Sequence, residues 1–155
     1  MRRPVARLAV TLGLVLVGPV IPALAVAQAG QAPREPAVRL DVQAIHARPG
    51  TATGSAPKAL ADRLRKAFPG YGTFDLLATH LLELSPGKAG TARLPNDREL
   101  TLTYLGPADR FLKLRVDIPP RLRTEVRVND GGTFYQAGMD YRGGVLILAI
   151  RAKRR

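Results

Sequence analysis

The chain has 155 residues, 46% hydrophobic and 23% charged, with 24 Lys and Arg against 12 Asp and Glu for a formal charge of +12. That length supports one domain with a core of its own. The absence of cysteine excludes thiolate metal sites, thiol catalysis and disulfide-stapled scaffolds, so core packing and backbone hydrogen bonds must hold the fold.

Arg2, Arg3 and Arg7 lead into an apolar run from Leu8 to Ile21 that ends in Ala25-Val26-Ala27. A basic n-region, an apolar h-region and small residues at the cleavage positions predict a secretory signal peptide over residues 1–27. The apolar run is shorter than the ~20 residues that span a bilayer and is broken by Gly18, Pro19 and Pro22, which argues against a membrane anchor. Arg2-Arg3 lacks the rest of a twin-arginine signal. The expected location is outside the cytoplasm, periplasmic or extracellular, in a bacterial source. Residues 28–36 are small, polar and proline-containing, and read as a disordered linker.

From Ala37 the pattern changes. Val38, Leu40, Val42 and Ala44 alternate with Arg39, Asp41 and Gln43, the period of a strand with one buried face. A Gly, Thr and Pro loop follows from Arg48 to Gly54. Ser55 is placed to cap a helix that Pro57 starts, with Leu60, Leu64, Ala67 and Phe68 on one face and Pro69-Gly70 as its stop. Lys58, Asp62, Arg63, Arg65 and Lys66 form its solvated side. Between Phe74 and Leu84 the leucines fit both a helix (Phe74, Leu77, Ala78, Leu81, Leu82) and a strand (Phe74, Leu76, His80, Leu82, Leu84). The aromatic and Thr-flanked start favours the strand.

Beyond Gly90 the alternation is regular: Leu100, Leu102 and Tyr104, then Leu112, Leu114, Val116 and Ile118, then Leu122, Thr124, Val126 and Val128. Asn96-Asp97, Pro119-Pro120 and Asn129-Asp130-Gly131-Gly132 supply turn chemistry, the last read as a hairpin. A three-residue loop centred on Pro120 would place Arg115 opposite Glu125 and Asp117 opposite Arg123, leaving Lys113 beside Arg127 as an unneutralised basic spot. Val145 to Ile150 is apolar on both faces and predicts a central strand. Residues 153–155 read as a basic tail behind a single β-rich domain over 37–152. The expected fold is mainly β, an antiparallel sandwich or small open barrel with one amphipathic helix, α+β by count.

Residues for chemistry are sparse. His46 and His80 are the only histidines, and their spacing does not bring a carboxylate to them, so no metal is expected. Each reads as a satisfied or surface histidine. Ser55 and Ser85 lie outside any nucleophile elbow. Asp109, Asp117, Glu125, Asp130 and Asp140 show no local acid and base pairing. The Gly131-Gly132 and Gly143-Gly144 pairs lie between strands and open no helix, so no phosphate cradle or cofactor is predicted. Residues 128–134 resemble a strand-turn-strand piece of outer-membrane secretins, a pattern generic to hairpins.

Basic residues remain: Lys113, Arg121, Arg127, Arg151, Lys153, Arg154 and Arg155 are the candidate binding residues. The expectation is a non-enzymatic envelope protein that binds an anionic polymer, a lipid headgroup or an acidic protein. Nucleic acid is not expected, given export and few, scattered aromatics. The alternatives are a subunit of an envelope or secretion assembly docking by a sheet edge, and a glycan hydrolase with paired carboxylates. A transmembrane barrel is disfavoured by charged alternate faces and short strands.

Overall fold

The computed structural model describes residues 37–155; the segments read as signal peptide and linker lie outside the described residues. Eight strands and one helix follow in order: β1 (Val38–Arg48), α1 (Lys58–Ala67), β2 (Thr73–Leu84), β3 (Ala89–Arg93), β4 (Glu99–Ala108), β5 (Phe111–Ile118), β6 (Leu122–Asn129), β7 (Thr133–Tyr141) and β8 (Gly144–Arg154). They form two antiparallel sheets, sheet I in the order β2-β1-β8-β7 and sheet II in the order β3-β4-β5-β6. The fold is a β-sandwich with one helix, as the alternation predicts. Within the sheets, pairing joins strands consecutive in the chain and returns β8 to β1, an order that with two more ladders would be an up-and-down barrel. No ladder joins β2 to β3 or β6 to β7, so the barrel is split into two sheets at these seams.

The main core fills the space between the sheets. Val38, Leu40, Val42 and Ala44 of β1 and Leu146, Leu148, Ile150 and Ala152 of β8 meet Leu100, Leu102, Tyr104, Leu112, Leu114, Val116 and Ile118 of sheet II, all buried. A second, smaller core lies on the other side of sheet I. There Leu60, Ala61 and Leu64 of α1 cover Ile45, Ala47, Phe74, Ile147 and Ala149. The strand β8 therefore buries both faces, which is why Val145 to Ile150 carries apolar residues at consecutive positions.

Strand β2 serves both cores. Its pairing with β1 skips Leu77, so that Ala44 faces Ala78 while Ile45 faces Leu76. This bulge reverses the side-chain phase. Phe74 and Leu76 pack beneath α1, whereas Ala78, Leu82 and Leu84 pack between the sheets. Residues of one parity are thus divided between two cores, and Leu77 and Leu81 point outward.

Ser55 does not cap α1. The N-cap is Pro57, with no side-chain capping bond. The Ser55 backbone N–H instead donates to Asp75 Oδ1 at 2.9 Å, and its Oγ accepts from the Leu76 N–H at 3.1 Å. The serine fastens the loop before α1 to β2. The helix ends as expected at Pro69-Gly70, with Phe68 N–H donating to the Leu64 carbonyl at 2.7 Å.

Two further expectations change. Residues 129–132 do not close a hairpin, because β6 pairs with β5 and β7 pairs with β8; the turn carries the chain from sheet II to sheet I. Lys153 and Arg154 are not a tail. They continue β8, opposite Arg39 and Val38, and the Arg155 N–H donates to the Ala37 carbonyl at 3.0 Å. The short strand β3 breaks no apolar run long enough to announce it. It forms by pairing with β4 around a turn in which Asp97 takes a φ of 61°.

The β5–β6 hairpin has the expected register. Arg115 faces Glu125, Asp117 faces Arg123 and Lys113 faces Arg127 across the loop at residues 119–121.

Candidate functional site

Side-chain geometry separates the seven candidate cations into groups that do not converge. Lys113 and Arg127 stand on the outer face of sheet II, where Glu125 accepts from Arg115 and pairs with Lys113, both at 2.8 Å. The carboxylate of Glu125 is held below its ordinary range by those two cations, Lys113 first. The basic spot expected at Lys113 is thereby neutralised diagonally, and Arg127 alone stays open there. Arg121 lies in the β5–β6 loop beside a cleft of about 200 Å³ with Ile118, Leu122 and Met139. Arg155 pairs with Glu83 at 2.8 Å. The Arg154 backbone N–H donates to Asp130 Oδ1 at 2.8 Å, and its side chain reaches the Asp109 carbonyl at 3.5 Å.

Arg151 and Lys153 differ from the rest. They occupy the outward positions of β8, and the register sets Lys153 opposite Arg39 and Arg151 opposite Asp41 of β1. On the other side of β1, Leu81 stands opposite Asp41 and Glu83 opposite Arg39. Arg39, Asp41, Leu81, Arg151 and Lys153 line one open cleft of about 310 Å³. A second cleft of about 100 Å³ continues from Asp41 and Arg151 past Gln43, Thr133 and Tyr135 to Leu60 and Arg63 of α1. Helix α1 covers half of the outer face of sheet I, and these clefts form a trough along the half it leaves open.

The trough is electrostatically unbalanced. Among the described residues, Arg39, Arg63, Arg151 and Lys153 have no ion-pair partner, and the hydrogen bonds of Arg63 and Arg151 go to the carbonyls of Ala59 and Gly131. Asp41 Oδ1 is shielded from solvent and has no hydrogen-bond partner. Leaving such an oxygen unsatisfied costs roughly 1–3 kcal/mol. Four unpaired cations beside the single carboxylate of Asp41 suit an anionic ligand.

Sequence reading missed Arg39, Asp41, Arg63, Leu77 and Leu81. Arg39 and Asp41 are visible as the polar side of the first strand, but only the pairing of β1 with β8 sets them against Arg151 and Lys153.

The histidines remain apart. His46 is 8% exposed and meets Tyr141 edge to face with ring centroids 5.0 Å apart. His80 pairs with Val42, four strand positions away from His46 along β1, or about 13 Å. Neither is satisfied in the expected sense, because both Nε2 atoms are shielded without a hydrogen-bond partner. Among the described residues no group of three or more His, Cys, Asp or Glu gathers to hold a metal. Asp117 pairs with Arg123 at 3.1 Å, Glu125 is engaged as above, and Asp109, Asp130 and Asp140 lie in turns or at a strand end. Asp75 accepts from the Ser55 N–H and from Arg48 at 2.7 Å, which together lower its carboxyl pKa.

No protein-family model, curated protein or solved structure matches the chain.

Proposed function

We propose that this is an exported, non-enzymatic binding domain that holds an anionic component of the cell envelope on the open half of sheet I. The supporting observation is the convergence of Arg39, Arg151 and Lys153 on one cleft, each without an ion-pair partner among the described residues. Two adjacent strands supply all three side chains, so the scaffold that positions them is rigid. Binding by such a set depends on charge and weakens with salt.

Inorganic polyphosphate coupled to a surface tests this directly. The triple variant R39Q/R151Q/K153Q is expected to lose retention at physiological salt. The triple variant K113Q/R115Q/R127Q, which removes the same number of charges from sheet II, is expected to retain it. Equal losses in both would show that net charge, and not this face, governs binding.

A second reading is supported by the seam between β6 and β7. Both are edge strands, no ladder closes them, and the cleft beside Arg121 opens there. In that reading a partner's extended segment adds to one edge, as in an envelope assembly. Retention of a partner from source envelopes in high salt, by R39Q/R151Q/K153Q as well as the wild type, would favour it.

A further inference from the structure

We infer that the anionic component is the surface of a lipid bilayer: lipid phosphates lie between Arg39, Arg151 and Lys153, while Leu77 and Leu81 seat at the boundary of the acyl chains. This inference rests on the anion-binding reading above and narrows it to one chemistry.

Leu77 and Leu81 are 40% and 52% exposed, the two large apolar side chains that stand exposed among the described residues. Their shared place is not scattered surface apolarity. Both are on β2: Leu77 is the residue the bulge leaves unpaired, and Leu81 alternates with Leu82 and Ala78 of the main core and stands opposite Asp41. Leu81 itself lines the cleft that holds the three cations. A soluble polyanion would engage the cations and leave the leucines in water. A bilayer interface takes both, since apolar side chains enter the acyl boundary while Lys and Arg remain at the phosphate level.

Asp41 refines the headgroup. Its carboxylate lines the same cleft as the three cations, so a phosphate monoester carrying a second negative charge is disfavoured there relative to a singly charged phosphodiester. Phosphatidylglycerol is such a diester, whereas phosphatidate is a monoester that takes on a second negative charge near neutral pH.

The chain contains no tryptophan, so Leu81→Trp places a single indole at the proposed boundary. With the full chain, vesicles of phosphatidylglycerol in phosphatidylcholine are expected to shift the indole emission to the blue, and pure phosphatidylcholine vesicles are not. Adding R39Q/R151Q/K153Q should weaken the vesicle titration by about a hundredfold, from roughly fivefold per cation near an anionic surface. Wild-type Asp41 should favour phosphatidylglycerol over phosphatidate severalfold, and Asp41→Ala should erase that preference. An unshifted indole, with polyphosphate still bound, would overturn the bilayer inference and leave the anion-binding reading standing. Binding to neither vesicles nor polyphosphate would overturn both. A blue shift of equal size with phosphatidylcholine alone would overturn the requirement for a net anionic headgroup.

Discussion

Leu64→Ala tests the division of labour between the two faces of sheet I. Leu64 is fully buried on α1, packed in the cluster with Ile45, Phe74 and Ile147. The substitution deletes three carbons, about 2.4 kcal/mol of transfer free energy at ~0.8 kcal/mol each. Residual cavity adds to this, and a surface helix relaxes enough to keep the total near the lower half of the ~2–5 kcal/mol range for buried Leu→Ala, at about 3 kcal/mol. For a domain of this size that lowers Tm by about 12 °C, taking ~4 °C per kcal/mol. Urea denaturation followed by far-UV circular dichroism should show a lower midpoint at unchanged slope. Leu77→Ala, at an exposed position of β2, should move stability by no more than about 0.5 kcal/mol. A loss below about 1 kcal/mol for Leu64→Ala, or an equal loss for Leu77→Ala, would refute the account of α1 as the cover of a second core.

Other outcomes follow from single contacts. Asp75 has a lowered folded pKa, so its hydrogen bonds stabilise the fold above the ordinary carboxylate range and that contribution disappears as pH falls through the folded value; Asp75→Asn should give a shallower acid limb in stability measured against pH. Gly144→Ala would place a Cβ 2.2 Å from the Ala47 carbonyl oxygen, forcing β8 away from β1 at its start, and should cost more than about 1 kcal/mol by urea denaturation. Glu125→Lys removes the carboxylate shared by Lys113 and Arg115, so the denaturation midpoint should fall at low salt and recover in high salt. Truncation after Ile150 removes the pairs that bring Asp41 to Arg151 and Val38 to Arg154, with buried Ala152 between them, and should destabilise the domain as well as abolish binding.

Legibility in the sequence tracked the length of uninterrupted alternation. The β5–β6 register could be read in advance because cross-strand charge pairs and a short loop allow only one arrangement that keeps the apolar faces together. β8 announced itself by being apolar on both faces. The helix-or-strand ambiguity over 74–84 has a definite origin: the bulge at Leu77 changes which core the strand serves, and that phase change mimics helical spacing. Ser55 showed the chemistry of a cap, but tertiary contact with β2 claimed both its polar groups. The turn at 129–132 has hairpin composition, yet its strands belong to different sheets, a distinction that local turn chemistry does not encode. The site was half visible. Arg151 and Lys153 stood out in a basic terminus, whereas Arg39 and Asp41 join them through the pairing of strands more than a hundred positions apart in the chain. Leu77 and Leu81 belonged to the apolar face only under the helical spacing, and gained meaning once the fold made the segment a strand and left them outside.

The most direct test of the account is to map backbone amide chemical shifts while titrating bicelles containing phosphatidylglycerol. The account predicts that the largest changes fall on Arg39, Asp41, Leu77, Leu81, Arg151 and Lys153 and diminish together as salt is raised. Changes centred on Lys113 and Arg127 of sheet II, or on the β6–β7 seam, would contradict it.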